Sequence, residues 1–188
     1  LVLTLFFSFC SYADDLDKGF KALEEGDYPK ALYYLSYYAV LGDPKAQYNL
    51  GIMYLKGKGV DVDKKEASGW FYLSAEQGNM LSQYALGLLY YKGDGVVKNY
   101  LTAMEYFKDA AFQGHPSSLV NIGNFYYLGY GVIKDLSRAH MWWSLAKDKG
   151  LDGAFENIIK VESLMTDNEL NKAIILFQEC QKKTLPFC

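Results

Sequence analysis

The sequence has few of the residues from which nucleic-acid and metal sites are built. Its 188 residues include 19 Lys and Arg against 22 Asp and Glu, and no basic run is longer than two residues. Binding to a phosphate backbone needs a basic stripe, so the composition excludes a nucleic-acid-binding protein. The two histidines, His115 and His140, lie far from each other and from the cysteines, whereas a zinc site needs closely spaced ligands. We therefore predict no metal site and no cofactor.

Patterns that mark catalytic residues are also scarce. The sequence contains no G-x-S-x-G nucleophile motif. The acidic pairs Asp14-Asp15 and Glu24-Glu25 are consecutive, so their side chains cannot face each other on a helix. General acid–base catalysis needs carboxylates that converge on a pocket. We therefore predict that the protein is not an enzyme, and we name no catalytic residue.

A long apolar run is absent, and the one short run lies at the start of the sequence. Leu1–Phe9 is too short to cross a bilayer. Ser11 and Ala13 follow with the spacing of a cleavage site, and acidic residues come next. This pattern predicts a secretory signal peptide over 1–13, export to the periplasm or secretion, and no stable membrane insertion. The alternative, an apolar first helix of the fold, is disfavoured because the run lacks helical amphipathicity.

Only three cysteines are present, and cleavage after Ala13 would leave Cys180 and Cys188. An even pair in an exported protein favours a disulfide. Pro186 ends any helix before Cys188, so the tail could fold back to form the bond. Two free thiols are the alternative.

What the sequence has in abundance is a repeat of 36 residues, seen first in Gly51, Gly87 and Gly123. The same spacing relates Tyr54, Tyr90 and Tyr126; Gly57, Gly93 and Gly129; Gly59, Gly95 and Gly131; Ala67, Ala103 and Ala139; and Trp70, Tyr106 and Trp142. So many coincident positions indicate a repeat protein.

Each unit predicts two helices. The first, 44–56, places Ala46 and Leu50 on one face, and the second, 64–77, begins with Asp63 and Glu66 at the spacing of a capping box. Gly78 then takes the left-handed position that ends a helix. We predict one solenoid domain over 14–188. It contains an atypical first pair at 14–42, repeats at 43–78, 79–114 and 115–150, and capping helices at 151–188.

This unit resembles the Sel1-like repeat of the tetratricopeptide-like α/α solenoids. The matching residues in the first full unit are Ala46, Leu50, Gly51, Tyr54, Gly57, Gly59, Val60, Asp63, Ala67, Trp70 and Gly78. The resemblance implies an all-α fold, a right-handed α/α superhelical solenoid of about five helix pairs, with the first helices lining its concave face. It also implies an adaptor or scaffold role, as in exported bacterial members. The first pair is more similar to a plain tetratricopeptide unit.

The Gly57-Lys58-Gly59 loop raises the alternative of a phosphate site. A phosphate loop follows a strand and carries Lys and Ser or Thr after its glycines. Here the glycines follow a predicted helix and recur in phase with the packing residues. We interpret the loop as the joint between two helices.

The first helices have a second face, which the packing residues of the repeat do not occupy. We predict that this face binds a protein or peptide partner. Its residues are Tyr48, Ile52, Leu55, Lys56, Tyr84, Leu88, Tyr91, Lys92, Val120, Asn124, Tyr127 and Leu128. Exposed apolar surface and tyrosine are typical of interfaces. For Tyr48 and Tyr84, packing against the second helices is an equal alternative. The oligomeric state stays open, with a monomer as the expectation.

Two other functions stay open beside the scaffold. Some exported, cysteine-rich relatives of this repeat are associated with penicillin binding or β-lactam hydrolysis, which suggests an enzyme-like protein that binds β-lactams or cell-wall fragments. Those relatives carry a cysteine pair in every unit, whereas the middle repeats of this sequence contain no cysteine. The other possibility is a secreted effector that meets host proteins by the same scaffold mechanism.

Overall fold

The computed structural model describes residues 15–182, which form ten helices. Helix α1 covers 15–25. The others are α2 (Tyr28–Val40), α3 (Pro44–Lys56), α4 (Lys64–Glu76), α5 (Met80–Lys92), α6 (Tyr100–Phe112), α7 (Pro116–Leu128), α8 (Leu136–Asp148), α9 (Ala154–Glu162) and α10 (Asp167–Lys182). No strand occurs in this range. The predicted signal peptide and Cys188 lie outside the described residues, so the export signal and the disulfide stay predictions.

The described helices form two compact units. The first contains α1–α4, the start of α5 up to Ser82, and Asp94–Val97. The second contains Gln83–Gly93 and the chain from Lys98 onward. In the first unit α3 packs against α2 and α4. In the second unit α7 packs against α6 and α8, and α8 also contacts α9 and α10.

Each unit has its own apolar core. In the first, Leu35, Leu50 and Met53 are at most 2% exposed. The core of the second unit is more aromatic and includes Phe107 and Trp143, which are also at most 2% exposed. Leu50 therefore lies on the buried face of α3, where the sequence pattern placed it.

Side chains of Asp and Asn cap the starts of four helices, including the predicted cap at Asp63. The side chains of Asp43, Asp63, Asn99 and Asp135 accept hydrogen bonds from first-turn backbone N–H groups. The full reciprocal capping box forms at α10, where Thr166 N donates to Glu169 Oε2 at 2.9 Å and Glu169 N donates to Thr166 Oγ1 at 3.3 Å. These bonds satisfy N–H groups that have no partner within a helix.

The capping box predicted at α4 forms only in part. Asp63 Oδ1 accepts from Lys65 N and Glu66 N, both at 2.9 Å. The Glu66 carboxylate instead accepts from Trp70 Nε1 at 2.9 Å. The backbone N–H of Asp63, which Glu66 would have bonded, donates to Tyr54 O at 3.0 Å. Because the loop already satisfies this N–H, the Glu66 side chain pairs with the next turn.

The second glycine of each Gly-x-Gly loop lies against the preceding helix pair. It contacts the first residue of the second helix of that pair. Gly59 has a φ of 74°, and a Cβ built on it would lie 3.1 Å from the carbonyl carbon of Tyr28 in α2. Gly95 has a φ of 72°, and its Cβ would overlap the carbonyl group of Lys64 in α4. Both the left-handed backbone and the close approach require glycine. This packing supports the interpretation of the loop as a joint between helices.

A different glycine series lies inside the first helices and makes room for aromatic rings. A Cβ on Gly87 would lie 2.5 Å from Cε1 of Phe107, a distance that real Cβ atoms do not tolerate. The same relation joins Gly51 to Phe71, and Gly123 to Trp143. In each repeat the absence of a side chain lets a ring of the second helix reach the backbone of the first.

Candidate functional site

The part of the predicted groove that belongs to the first unit lies on α3. Tyr48, Ile52 and Leu55 are half-buried, and Lys56 is exposed at the end of the helix. The Tyr48 ring contacts Phe71 of α4, with 5.8 Å between the ring centroids. Burial raises the pKa of the Tyr48 phenol. Tyr48 therefore packs against a second helix and keeps part of its ring at the surface, and its role in partner binding stays a prediction.

Tyr48 also lines a cleft of about 540 Å³ in the first unit. The other lining residues are Asp17, Phe20, Leu23, Glu24, Lys45, Asn49, Asn79 and Leu81. Asn49 Nδ2 donates to Lys45 O at 2.8 Å, and Asn79 Oδ1 accepts from Ser82 N at 3.0 Å. The repeat pattern did not predict the contribution of α1, because the first helix pair departs from the 36-residue motif.

In the second unit, α5 supplies Tyr84, Leu88 and Lys92 to the predicted groove. The Tyr84 ring centroid lies 5.9 Å from Phe107 and 4.3 Å from the His115 ring. Leu88 packs against the core, and Lys92 is exposed in the last turn. Tyr84 thus behaves as Tyr48 does, with one side of the ring in the core and the rest at the surface.

His115 itself is a structural residue. Its Nδ1 accepts from Ser118 N at 3.3 Å and so caps the start of α7. Burial lowers the pKa of the His115 imidazole. A neutral ring is what the cap needs, because only an unprotonated nitrogen accepts a hydrogen bond.

Tyr91 belongs to a cluster of four aromatic rings. Its ring centroid lies 5.9 Å from Tyr100, 5.7 Å from Phe125 and 6.0 Å from Tyr130. Tyr100 and Tyr130 stack with 4.6 Å between centroids and 2° between planes. Lys98 Nζ lies 4.7 Å from the Tyr100 centroid, and a hydrogen bond with Tyr100 raises the pKa of Lys98. Since such ring pairs contribute about 0.5–1.5 kcal/mol each, Tyr91 has a packing role beside its predicted binding role.

The remaining predicted residues lie on α7. Val120, Asn124 and Tyr127 are half-buried, and Leu128 is 48% exposed. Together with α5 they form a half-exposed surface of tyrosine and aliphatic side chains within the second unit.

Tyr127 is surrounded by one indole and two ammonium groups. Its centroid lies 5.7 Å from the Trp143 ring, 5.5 Å from Lys134 Nζ and 5.4 Å from Lys160 Nζ. The sequence analysis predicted Tyr127 but missed both lysines. Lys134 lies in a loop, and Lys160 lies in the atypical last pair. Lys160 stands 36 residues after Asn124, so extending the repeat into that pair would have found it.

A second cleft, of about 440 Å³, is lined by residues of α8, α9 and α10. These residues are His140, Ser144, Lys147, Asp148, Phe155, Ile158, Glu162 and Phe177. His140 is only 7% exposed, and both of its ring nitrogens have partners. Nε2 lies 2.8 Å from Glu162 Oε1, and Nδ1 lies 3.3 Å from Ser144 Oγ. His140 is therefore a buried histidine whose ring nitrogens both have partners.

The serine, histidine and carboxylate of this cleft stand in the order of a nucleophile, a base and an orienting group. Ser144 and Lys147 also have the S-x-x-K spacing known from β-lactamases, a signal that is present in the sequence but was not among our predictions. Ser144 lies in the interior of α8, where backbone N–H groups are bonded within the helix. Those N–H groups are therefore not free to stabilise an oxyanion. The hydrogen bond between His140 and Glu162 instead links α8 to α9.

Three other features bear on function. Cys180, the described member of the predicted disulfide, is 4% exposed. Within residues 15–182, no group of three or more His, Cys, Asp or Glu side chains could hold a metal ion. Over the same range, every helix is too short or too polar to cross a membrane.

Comparison with known proteins identifies the repeat. The model of the Sel1 repeat family matches residues 17–39, 44–79, 81–115 and 116–151. No match was found among curated proteins. Among solved structures, a Sel1 repeat protein from Oxalobacter formigenes is similar, with 31% identity and a TM-score of 0.70 over 74% of this chain. A protective antigen present in uropathogenic Escherichia coli strains, which displays an SLR fold, has 31% identity and a TM-score of 0.75 over 84% of this chain.

The chain spans 58% of the length of the first of these relatives and 34% of the second. The matches confirm the predicted all-α solenoid of about five helix pairs. They also extend the Sel1 pattern to 17–39, which the sequence analysis had compared with a plain tetratricopeptide unit. Since the four matched segments cover more than half of the sequence, the chain belongs to the Sel1 repeat family.

Proposed function

We propose that this protein is a non-catalytic interaction scaffold, exported to the periplasm or secreted, that binds a protein or peptide along the surface of its first helices. Proteins built from Sel1 repeats are commonly interaction scaffolds. The observation that carries the proposal is the composition of α3, α5 and α7. None of them contains an Asp or Glu, although the sequence has 22 such residues.

The acidic residues are sorted onto other helices. Helices α4 and α6 carry Glu66, Glu76, Glu105 and Asp109, whereas α3, α5 and α7 present half-exposed tyrosine and aliphatic side chains. Interfaces are depleted in Asp and Glu and enriched in Tyr. Within the three regular repeats, the first helices therefore have the composition of a binding surface, and the second helices have that of a solvated one.

A charge placed on this surface should abolish partner binding without unfolding the chain. Leu128 is 48% exposed on α7, so Leu128→Asp should cost about 1 kcal/mol of stability or less. We expect the wild-type chain, used as bait on the cell envelope and culture medium of its source, to retain a partner that Leu128→Asp loses. Mass spectrometry of the captured proteins is the measurement.

The matched control is Leu101→Asp, which places the same charge on α6 at a side chain that is 60% exposed. Leu101→Asp should capture the partner as the wild type does. If both variants capture it equally, the first-helix surface is not the binding site.

One observation supports a second candidate function, the binding or hydrolysis of β-lactams or cell-wall fragments. Ser144, His140 and Glu162 form a hydrogen-bonded chain that lines a cleft, with Lys147 in the same lining. A chromogenic β-lactam assay separates the candidates. The scaffold proposal expects no turnover above buffer, whereas turnover that disappears in Ser144→Ala would establish the hydrolase instead.

A further inference from the structure

We propose that the second unit binds an acidic peptide segment of its partner through a lysine–tyrosine surface. This surface consists of Lys92, Lys98, Lys134 and Lys160 together with Tyr91, Tyr100 and Tyr127. The inference rests on the proposed scaffold function and adds the chemical class of the partner. It does not depend on where the protein is located.

The four lysines are not neutralised from within the described chain. Elsewhere, Lys64 pairs with Asp94 at 2.7 Å and Lys172 pairs with Asp135 at 3.1 Å. None of the ion pairs found between residues 15 and 182 includes a lysine of the lysine–tyrosine surface. Four ammonium groups are therefore left for an external anion, on a protein whose net charge is −3.

Tyrosine rings hold three of these lysines in place. Lys98 Nζ lies 4.7 Å from the Tyr100 centroid, while the Nζ atoms of Lys134 and Lys160 lie 5.5 and 5.4 Å from the centroid of Tyr127. Such contacts are worth about 0.5–1 kcal/mol at exposed sites. They also restrict the side chains before binding, so less conformational entropy is lost when an anion arrives.

Lys134 and Lys160 share one ring, because the Nζ atom of each lies within 5.5 Å of the Tyr127 centroid. Neither lysine forms an ion pair with a carboxylate of the described chain. Carboxylates of a bound segment would accept charge-assisted hydrogen bonds from these two ammonium groups. Tyr127 therefore marks the centre of the proposed surface.

The surroundings favour a peptide over a small anion. Leu128 is 48% exposed next to Tyr127, and Val120 and Leu88 are half-buried on α7 and α5. Apolar side chains beside ammonium groups suit a segment in which Asp or Glu alternates with apolar residues. A nucleic acid is a poorer match, because the sequence has no basic run and an acidic balance.

One carboxylate stands one turn before Lys160 on α9. Glu156 on α9 stands 36 residues after Val120, just as Lys160 stands 36 residues after Asn124. Its charge opposes the attraction of an acidic peptide. Removing this carboxylate and removing a lysine should therefore change the affinity in opposite directions.

The test is fluorescence anisotropy with the full chain and two labelled peptides. In the first peptide Glu alternates with Leu, and in the second Lys replaces Glu. We expect the Glu peptide to bind more tightly and to lose affinity as salt is added, because exposed charges are screened. The Lys134→Gln/Lys160→Gln variant should weaken binding about tenfold, and Glu156→Gln should strengthen it about twofold.

The control variant, Lys108→Gln/Lys149→Gln, removes the same charge from α6 and from the end of α8, and it should bind as the wild type does. Circular dichroism confirms that each variant is folded. Equal binding of the two peptides, an unchanged affinity in Lys134→Gln/Lys160→Gln, displacement of the peptide by millimolar inorganic phosphate, or tighter binding of a single-stranded oligonucleotide would each overturn the inference. If Leu128→Asp still loses the captured partner while peptide charge has no effect, the scaffold function stands and only the acidic partner is wrong.

Discussion

Replacing Gly87 by alanine is expected to lower the free energy of unfolding by about 1–3 kcal/mol, although alanine is the better helix former. The added Cβ would lie 2.5 Å from Cε1 and 2.6 Å from Cδ1 of Phe107. Phe107 is fully buried and packs edge-on against Phe125 at 5.7 Å, so its ring has no space into which it can move. Urea denaturation followed by circular dichroism measures the change.

Gly69→Ala is the matched control. Gly69 also lies inside a helix, α4, but an added Cβ there meets nothing within 4 Å. With no clash to oppose the gain in helix propensity, this substitution should stabilise the chain by about 0.5–1 kcal/mol. The two glycine-to-alanine substitutions, both in helix interiors, should therefore change the free energy of unfolding in opposite directions.

A double-mutant cycle tests whether the Phe107 ring is the cause. In a Phe107→Ala background the ring is gone, so Gly87→Ala should lose its cost and become neutral or stabilising. The expected coupling energy is about 1–3 kcal/mol, within the range seen for residues in contact. Additive effects of the two substitutions would show that the helical glycine has another purpose.

The sequence predicted the helices well because the repeat encodes them more than once. Asp63, which was predicted as a cap, recurs as Asn99 and Asp135, and each of the three caps a second helix. The ring opposite each helical glycine was harder to predict. The sequence analysis emphasised the Trp70 position, but in the structure the next residue, Phe71, approaches Gly51. Both residues belong to one amphipathic stripe, and only the rotation of the helix decides between them.

The candidate site was predictable only where it lies on repeated positions. The spacing of 36 residues led from Tyr48 to Tyr84, both of which are half-exposed and ring-packed. The bond between His140 and Glu162 could not be predicted in the same way. It joins a regular repeat to α9, a helix of nine residues in the atypical last pair, where Glu162 replaces the tyrosine that the repeat has at Tyr126.

The largest loss of stability is expected for Trp143→Ala, about 3–5 kcal/mol. Trp143 is 2% exposed, lies against Gly123, and donates from Nε1 to Val120 O at 3.1 Å. Truncation would open a cavity between α7 and α8 and remove the hydrogen bond. Thermal and urea unfolding of the variant provide the measurement.

Trp143→Phe removes the hydrogen bond but keeps an aromatic ring. The position accepts phenylalanine in the earlier repeats, where Phe71 and Phe107 occupy it. It should cost only about 1–2 kcal/mol, the loss of one hydrogen bond and part of the ring. Since Tyr127 rests on Trp143 at 5.7 Å, a phenylalanine should also preserve acidic-peptide binding better than an alanine does. Equal losses of stability for the two variants would mean that the bond to Val120 O, rather than burial of the ring, holds α8 against α7.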